Sequence, residues 1–165
     1  MTVKGLVALV AALGFSTTAK GQAIKEIPLV ASQNPSGANV PFSQAVWAGD
    51  TLYVSGWLDP NLKDHPDVKS QTIGILQDMQ KFLASQKLTM GNVVMMREYI
   101  QSDPKRDSRA DILGARAAFS EFFGNSSQPR KPASTLMQAV LPSSARGALM
   151  EIDVIAVRSG TSSRR

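Results

Sequence analysis

The sequence contains no cysteine and a single histidine among its 165 residues. The absence of cysteine excludes disulfide bonds, thiol nucleophiles and thiolate metal ligands. His65 stands beside a proline, and a zinc ion would need about three further protein donors that the spacing does not supply. We therefore expect His65 in a surface loop and expect no metal site.

Aromatic side chains are also scarce, and the excess of positive charge is small. Phe, Trp and Tyr make up 6% of the chain, and the formal net charge is +5. It falls to +3 when Lys4 and Lys20, which lie in a segment expected to be removed, are discounted. Nucleic-acid-binding proteins usually gather basic residues on one stripe and interleave aromatics, whereas the basic residues here are scattered. We expect no nucleic-acid partner, and the length and 43% hydrophobic content predict one compact domain.

No apolar run is long enough to span a bilayer as a helix. The longest run, from Gly5 to Phe15, is shorter than the roughly 20 residues required. It follows Lys4 and precedes small and polar residues, which is the order of a secretory signal peptide. We expect residues 1–23 to be removed, a domain at 24–160, a disordered tail at 161–165, no stable membrane insertion and a periplasmic or secreted protein. An uncleaved anchor and an apolar helix of the domain are the alternatives.

The pattern of apolar residues then predicts an alternation of strands and helices. Two apolar runs flank Gly49-Asp50 and predict a hairpin over 43–56. Residues 67–87 have apolar side chains at helical spacing, and 92–100 is a β-branched and methionine-rich strand. Two further strands are expected at 133–141 and 148–157. The predicted order is β-β-α-β-α-β-β, an α+β fold with a mixed sheet and both helices on one face.

The second helix is expected to begin near Ser108 and to end at Gly124. Ser108 and Asp111 have the spacing of a capping box. The stripe expected to be buried on this helix comprises Ile112, Ala115, Phe119, Phe122 and Phe123. Arg116 is four residues after the first member of that stripe, so we expect it on or beside the buried face, where it needs an acidic partner or a ligand.

The last strand brings two carboxylates to the same face of the sheet. Alternation places Glu151 and Asp153 on one face and Ile152 and Val154 on the other. Such a pair can hold and activate a water molecule as a general base or acid. A salt bridge with a neighbouring arginine is the alternative.

Four stretches between Pro41 and Val157 resemble the Rid family, the YjgF-type reactive intermediate deaminases. They are "PFSQAVWAGDTLYVSG", "QTIGILQDMQKFLASQKLTMGNVVMMREYI", "ARAAFSEFFG" and "PASTLMQAVLP" followed by "MEIDVIAV". The resemblance implies a chorismate-mutase-like fold and a homotrimer with small-molecule clefts between its subunits. It also implies cofactor-free hydrolysis of enamines and imines, such as 2-aminoacrylate, to 2-keto acids and ammonia.

The resemblance also assigns site residues, with one departure. The family's substrate-binding arginine follows Pro-Ala, but here Ser134 follows Pro132-Ala133, and counting back from Leu141-Pro142 places that position on Ala133. Either alignment removes the guanidinium whose two parallel hydrogen bonds hold the substrate carboxylate. Thr135 or Ser134 replaces the small residue that follows the arginine.

The other positions match to varying degrees. Phe42 stands where the family commonly has tyrosine, whereas Ser55 and Gly56 match. Glu151 matches the acidic residue associated with the catalytic water. Arg116 lies where several members have a polar residue lining the cleft, and we hypothesise that it supplies part of the missing positive charge. An internal salt bridge of Arg116 with one of the two strand carboxylates is the alternative.

The basic residues at 130 and 131 are a second source of positive charge near the strand. Three functions are then open to the chain. The first is an exported Rid-like hydrolase with altered specificity for small imines, enamines or carbonyl compounds. The second is a non-catalytic trimer that binds a small ligand or a protein in the same clefts. The third, an endoribonuclease or translation inhibitor, is disfavoured by the scattered basic residues.

Overall fold

The computed structural model describes residues 22–142, 145 and 147–158. The signal peptide expected at 1–23 lies outside the described residues apart from its last two positions, and the tail expected at 161–165 lies wholly outside them. Among the described residues, no helix has the length and apolarity needed to cross a membrane.

The described chain forms one mixed sheet and two α-helices. The strands are β1 (Ile24–Ile27), β2 (Ala45–Ala48), β3 (Thr51–Leu58), β4 (Val93–Ile100), β5 (Ala133–Gln138) and β6 (Met150–Val157). The helices are α1 (Val68–Ser85) and α2 (Ile112–Phe122), and short 3-10 turns occur at Met90–Asn92 and Pro104–Arg106. The sheet order is β1-β2-β3-β6-β4-β5, in which only β4 and β5 are parallel. The predicted α+β order is confirmed, with the short edge strand β1 added at its start.

The predicted hairpin is formed by β2 and β3. Ala48 pairs with Thr51, so Gly49 and Asp50 form the two-residue turn. Gly49 has φ of 60°, a left-handed conformation that a two-residue hairpin turn requires and that glycine adopts without steric cost. The turn sets the register that brings Ser55 and Gly56 to the far end of β3.

The two helices cover one face of the sheet. The apolar face of α1 begins after the N-cap Asp67, whose side chain accepts a hydrogen bond from the Ser70 backbone, and it contacts β3 and β6. Trp57 is fully buried beneath α1, with its ring centroid 4.9 Å from that of Phe82 and its indole nitrogen donating to Asp78. This core fixes β3 and β6 side by side, which positions the site described below.

The start of the second helix differs from the prediction. The helix begins at Ile112, and its N-cap is Asp111, whose Oδ1 accepts from the Gly114 backbone at 3.1 Å. Ser108 has φ of 55°, so it belongs to the turn before the helix and is not its cap. Ile112 was expected to be buried but is exposed, because it begins the first helical turn, whereas Ala115 one turn later is buried.

The opposite face of the sheet carries no helix in the described part of the chain. Tyr53 and Met137 are exposed there, and Arg97 points to the same side. Among the described residues, the segment after β5 covers part of this face, where Leu141, Ala145 and Ala148 pack against Leu58, Leu62 and Tyr99. The remainder of the face is open, and we refer to it as the open face.

Candidate functional site

A bulge in β3 creates a recess for one carboxylate. Val54 pairs with Val154 and Trp57 with Ile152, so Ser55 and Gly56 are left between two regular pairings. The Glu151 carboxylate lies directly against the Gly56 backbone, and a Cβ atom at position 56 would overlap Oε1 of that carboxylate. Only glycine fits this position without moving the acid.

The same bulge joins the recess to the segment that precedes β2. The Ser55 hydroxyl donates to the Ser43 carbonyl at 2.7 Å, and the Ser55 backbone donates to Gln44 at 2.9 Å. Phe42, next in the chain, is 60% exposed and lines a pocket of about 460 Å³. Ser55, Gly56 and Glu151 are therefore neighbours at the bulge, and Phe42 is joined to them through the adjacent Ser43.

The two carboxylates on β6 have different environments. Asp153 accepts from Arg97 Nε at 2.7 Å and from the Tyr99 hydroxyl at 3.2 Å. Glu151 is half-buried and has no hydrogen bond or ion pair with another described residue. Burial raises the pKa of Glu151, and the nearby negative charge of Asp153 raises it further. The salt-bridge alternative therefore holds for Asp153, with Arg97 as its partner, and Glu151 retains the properties of a general base or acid.

Ser134 and Thr135 lie on opposite sides of the edge strand β5. Thr135 pairs with Arg97, whose side chain is on the open face, so the Thr135 side chain is on that face too. Ser134 points to the helix side. Its hydroxyl donates to both carboxylate oxygens of Glu98 on β4, at 3.0 and 3.1 Å.

Glu98 is a fully buried acid that the sequence analysis did not single out. It is 0% exposed, and no Lys or Arg of the described residues forms an ion pair with it. Burial raises the pKa of Glu98 to about 7, although the Ser134 hydrogen bond opposes the rise, and Asp153 adds to it. Strand alternation could have identified it, because Glu98 occupies an inward position between Met96 and Ile100.

The expectation that Arg116 points toward the sheet is wrong. Arg116 is exposed and forms no hydrogen bond or ion pair with another described residue. The buried positions of α2 are Ala115 and Ala118, and Arg116 lies at the border of that face, where its long side chain extends into solvent. Its salt bridge with Glu151 or Asp153 is likewise absent, and its role in substrate binding stays a prediction.

The two other basic residues near β5 do not occupy the position where the resemblance places an arginine. Arg130 Nη1 lies 3.5 Å from the Gly91 carbonyl, in the turn just before β4 begins. The Lys131 side chain lies against Gly124, at the end of α2. Neither contacts Glu98 or Glu151.

Other titratable groups do not suggest a metal centre. Within the described residues, no group of three or more His, Asp or Glu side chains has a metal-binding arrangement. His65 is partly exposed in the loop before α1, and its Nδ1 lies 2.6 Å from the buried Asp59 carboxylate.

The site residues thus form two groups on different faces of the sheet. Glu151, Gly56, Ser55 and Phe42 form a group that reaches the open face. Ser134 and Glu98 lie on the helix side, near the free edge of β5, which pairs only with β4. The two groups are separated by the sheet within one chain.

Comparison with known proteins agrees with this architecture. The family model described as Endoribonuclease L-PSP matches residues 32–158. A RutC family protein of Saccharolobus solfataricus is 32% identical over 123 residues, which cover 72% of this chain and 88% of the relative. A RutC family protein of Pyrococcus horikoshii is 27% identical over 123 residues, covering 72% and 87%.

Solved structures show the same fold. A YjgF family member from Neisseria meningitidis has a TM-score of 0.63 at 18% identity, covering 85% of this chain and 98% of its own. TdcF of E. coli with bound serine has a TM-score of 0.63 at 25% identity, covering 82% and 100%. With the family model spanning nearly all of the described residues, the chain belongs to the Endoribonuclease L-PSP family, which includes the YjgF, RutC and Rid proteins.

Proposed function

We propose that this protein is an exported hydrolase of small imines or enamines, in which Glu151 activates the attacking water. The observation that supports this most directly is the state of Glu151. It is a half-buried carboxylate with a raised pKa, it forms no ion pair with another described residue, and it lies against a glycine backbone that a side chain at position 56 would displace it from. These are the properties that a general base or acid requires.

The chemistry needs one acid–base group and one water molecule. The Glu151 carboxylate accepts a proton as water oxygen forms a bond to the imine carbon. With the substrate entering as its iminium ion, the protonated acid then donates that proton to the NH2 group of the tetrahedral intermediate. The carbon–nitrogen bond breaks as the hydroxyl group becomes the carbonyl, and Glu151 accepts the hydroxyl proton and returns it to solvent. The products are a carbonyl compound and ammonia. An enamine enters the same sequence after protonation at carbon gives its imine tautomer.

A homotrimer would complete the site. Glu151 and Ser134 are on opposite faces of one chain, so a cleft containing both needs the open face of one subunit against the free β5 edge of another. The exposed Tyr53 and Met137 on the open face supply apolar area for such packing. Solvent exclusion by the neighbouring subunit would also strengthen the effect of the Glu151 charge.

The test is hydrolysis of a free imine by the purified chain lacking residues 1–23. 2-Iminopropionate generated in place by an amino-acid oxidase is followed by semicarbazone trapping. The chain is expected to accelerate loss of the imine above buffer, and Glu151→Gln is expected to reduce the rate by about 10²- to 10⁴-fold. Gly56→Ala should cause a comparable loss because its methyl group displaces the carboxylate. Equal activity in Glu151→Gln and wild type would reject the role of Glu151.

A binding module without turnover is the second candidate, because the carboxylate-binding arginine is absent from position 134. The structure of TdcF contains bound serine, and we expect a binding module of this kind to take a similar small molecule. Tight binding of such a ligand with no imine hydrolysis would favour this function. Export can be checked separately, by recovery of the chain from the periplasm or medium with its N-terminus after residue 21 or 23.

A further inference from the structure

Ser134, on the free edge of β5, has a hydroxyl group whose only proton is already engaged in a hydrogen bond. Ser134 donates that proton to Glu98, at 3.0 and 3.1 Å from the two carboxylate oxygens. A serine hydroxyl has one donor and two acceptor lone pairs. Toward solvent, the Ser134 hydroxyl can therefore only accept hydrogen bonds. This favours a ligand that donates them.

The carboxylate behind this hydroxyl lacks a compensating positive charge. Glu98 is fully buried, and its only hydrogen-bond partner among the described residues is the neutral Ser134 hydroxyl. A buried carboxylate without a cation is costly, so a cation brought close to it gains strongly in free energy. An anion at the same place would face the lone pairs of Ser134 and the negative charge behind them.

The site is also open to a ligand. Ser134 is an exposed residue, and β5 pairs only with β4 in the described sheet, so solvent or a second subunit can approach its free edge. The nearest basic residues in sequence, Arg130 and Lys131, contact Gly91 and Gly124 and do not occupy the position. Thr135 points to the opposite face and provides a matched hydroxyl outside the site.

We infer that Ser134, backed by Glu98, forms a subsite for an ammonium or other cationic hydrogen-bond donor, so that the cleft selects a positively charged or amine-bearing ligand over a carboxylate. The inference rests on the proposed function only in placing this subsite beside the reacting carbon. The Ser134 hydroxyl accepts a hydrogen bond from the ligand, and the Glu98 carboxylate supplies the opposing charge a few ångströms further inside.

The experiment compares three small probes of matched size at pH 8: ethylammonium, propionamide and propionate. Binding is followed by NMR titration of the backbone amides of β5 in the full mature chain, without any imine present. Ethylammonium is expected to shift the amides around Ser134 and to bind at least about tenfold more tightly than propionate, since hydrogen bonds with a charged partner dominate.

Two variants and one control localise the effect. Ser134→Ala and Glu98→Gln should each weaken ethylammonium binding by about tenfold or more, whereas Thr135→Val should leave it unchanged. Ser134 is exposed, so its alanine variant tests the inference even where Glu98→Gln does not fold. Preferential propionate binding at β5, absence of ethylammonium binding, or unchanged binding in Ser134→Ala would each overturn the inference.

The outcome is separable from that of the proposed function. Ammonium binding that depends on Ser134 in a chain with no imine hydrolysis rejects the hydrolase and supports the subsite. Imine hydrolysis that depends on Glu151 in a chain that prefers propionate at β5 supports the hydrolase and rejects the subsite.

Discussion

At the scale of single residues, the environment of each carboxylate determines its chemistry. Asp153 is held by Arg97 and Tyr99, and Glu151, two positions earlier on the same strand, has no such partner. Glu98, on the neighbouring strand, is buried with one hydroxyl. Three acids within two strands therefore occupy three environments: Asp153 in an ion pair, Glu151 half-buried without a described partner, and Glu98 buried with a single hydroxyl.

The raised pKa of Glu151 predicts the acidic limb of the pH–rate profile. A general base is active when ionised, so kcat/KM for imine hydrolysis should rise with pH through a pKa above the ordinary glutamate value of about 4.3. Asp153→Asn removes a negative charge that favours protonation and should move this limb to lower pH. A limb at the ordinary glutamate value, unmoved in Asp153→Asn, would contradict the assignment.

Glu98 predicts how stability changes with pH. Its pKa is raised to about 7 in the folded chain, above its unfolded value, so the folded state binds the extra proton more strongly. Its contribution to the free energy of unfolding is present below pH 4.5 and is lost as pH rises toward and through 7. Urea unfolding at pH 5 and pH 8 should therefore show a decline that Glu98→Gln reduces. Equal declines in both proteins would refute the prediction.

The sequence identified some of these residues and missed others for physical reasons. Strand alternation placed Glu151 and Asp153 on one face and the family resemblance singled out Glu151 and Gly56, but their contact is visible only in the structure. Glu98 was missed because it stands in a strand rich in methionine and β-branched residues, which the sequence pattern assigns to the core as a whole. Arg116 was misplaced because a helical stripe defines a face only to within one residue, and a long side chain at its border can turn outward.

At the scale of elements, local hydrogen bonds decide where a helix begins. Both Ser108 and Asp111 are good N-cap types, and the sequence pattern placed the cap at Ser108 with Asp111 as its partner in a capping box. The structure selects Asp111, since Ser108 has a left-handed backbone in the preceding turn. The strands and helix α1 were predicted closely because their apolar periodicity extends over many residues.

Substitution of the two candidate caps tests this assignment. Asp111→Ala removes the hydrogen bond to the Gly114 backbone and should lower the free energy of unfolding by about 1 kcal/mol. Ser108→Ala should change it by less than about 0.5 kcal/mol, because no helix end depends on that side chain. Chemical denaturation of both variants is the measurement. A larger loss in Ser108→Ala than in Asp111→Ala would show that the cap lies at Ser108.

At the scale of the whole molecule, the open face exposes apolar side chains such as Tyr53 and Met137 that the described residues of one chain leave uncovered. Sequence patterns indicated which strands form the sheet, and pairing established that β6 lies at its centre. The separation of the site into two groups was not evident from the sequence, because it depends on which face each strand presents.

We predict that the mature chain is a trimer in solution. Light scattering coupled to size-exclusion chromatography should give three times the mass of the mature chain. Tyr53→Lys places a charge on the open face and should shift the mass toward that of a monomer, whereas Leu113→Lys, an exposed position on α2, should not. A monomeric wild type with full imine hydrolysis would show that one chain forms the site alone.

The claim that a Glu151-dependent hydrolase prefers substrates with a positive charge is tested most directly by the ratio of two kcat/KM values measured on the same preparation. One substrate is 2-iminopropionate, and the other is the matched imine of aminoacetone, prepared in concentrated ammonia and diluted into assay buffer at pH 8, so that an ammonium group replaces the carboxylate. We predict a higher kcat/KM for the ammonium-bearing imine, with the preference lost in Ser134→Ala. A clear preference for 2-iminopropionate, retained in that variant, would contradict it.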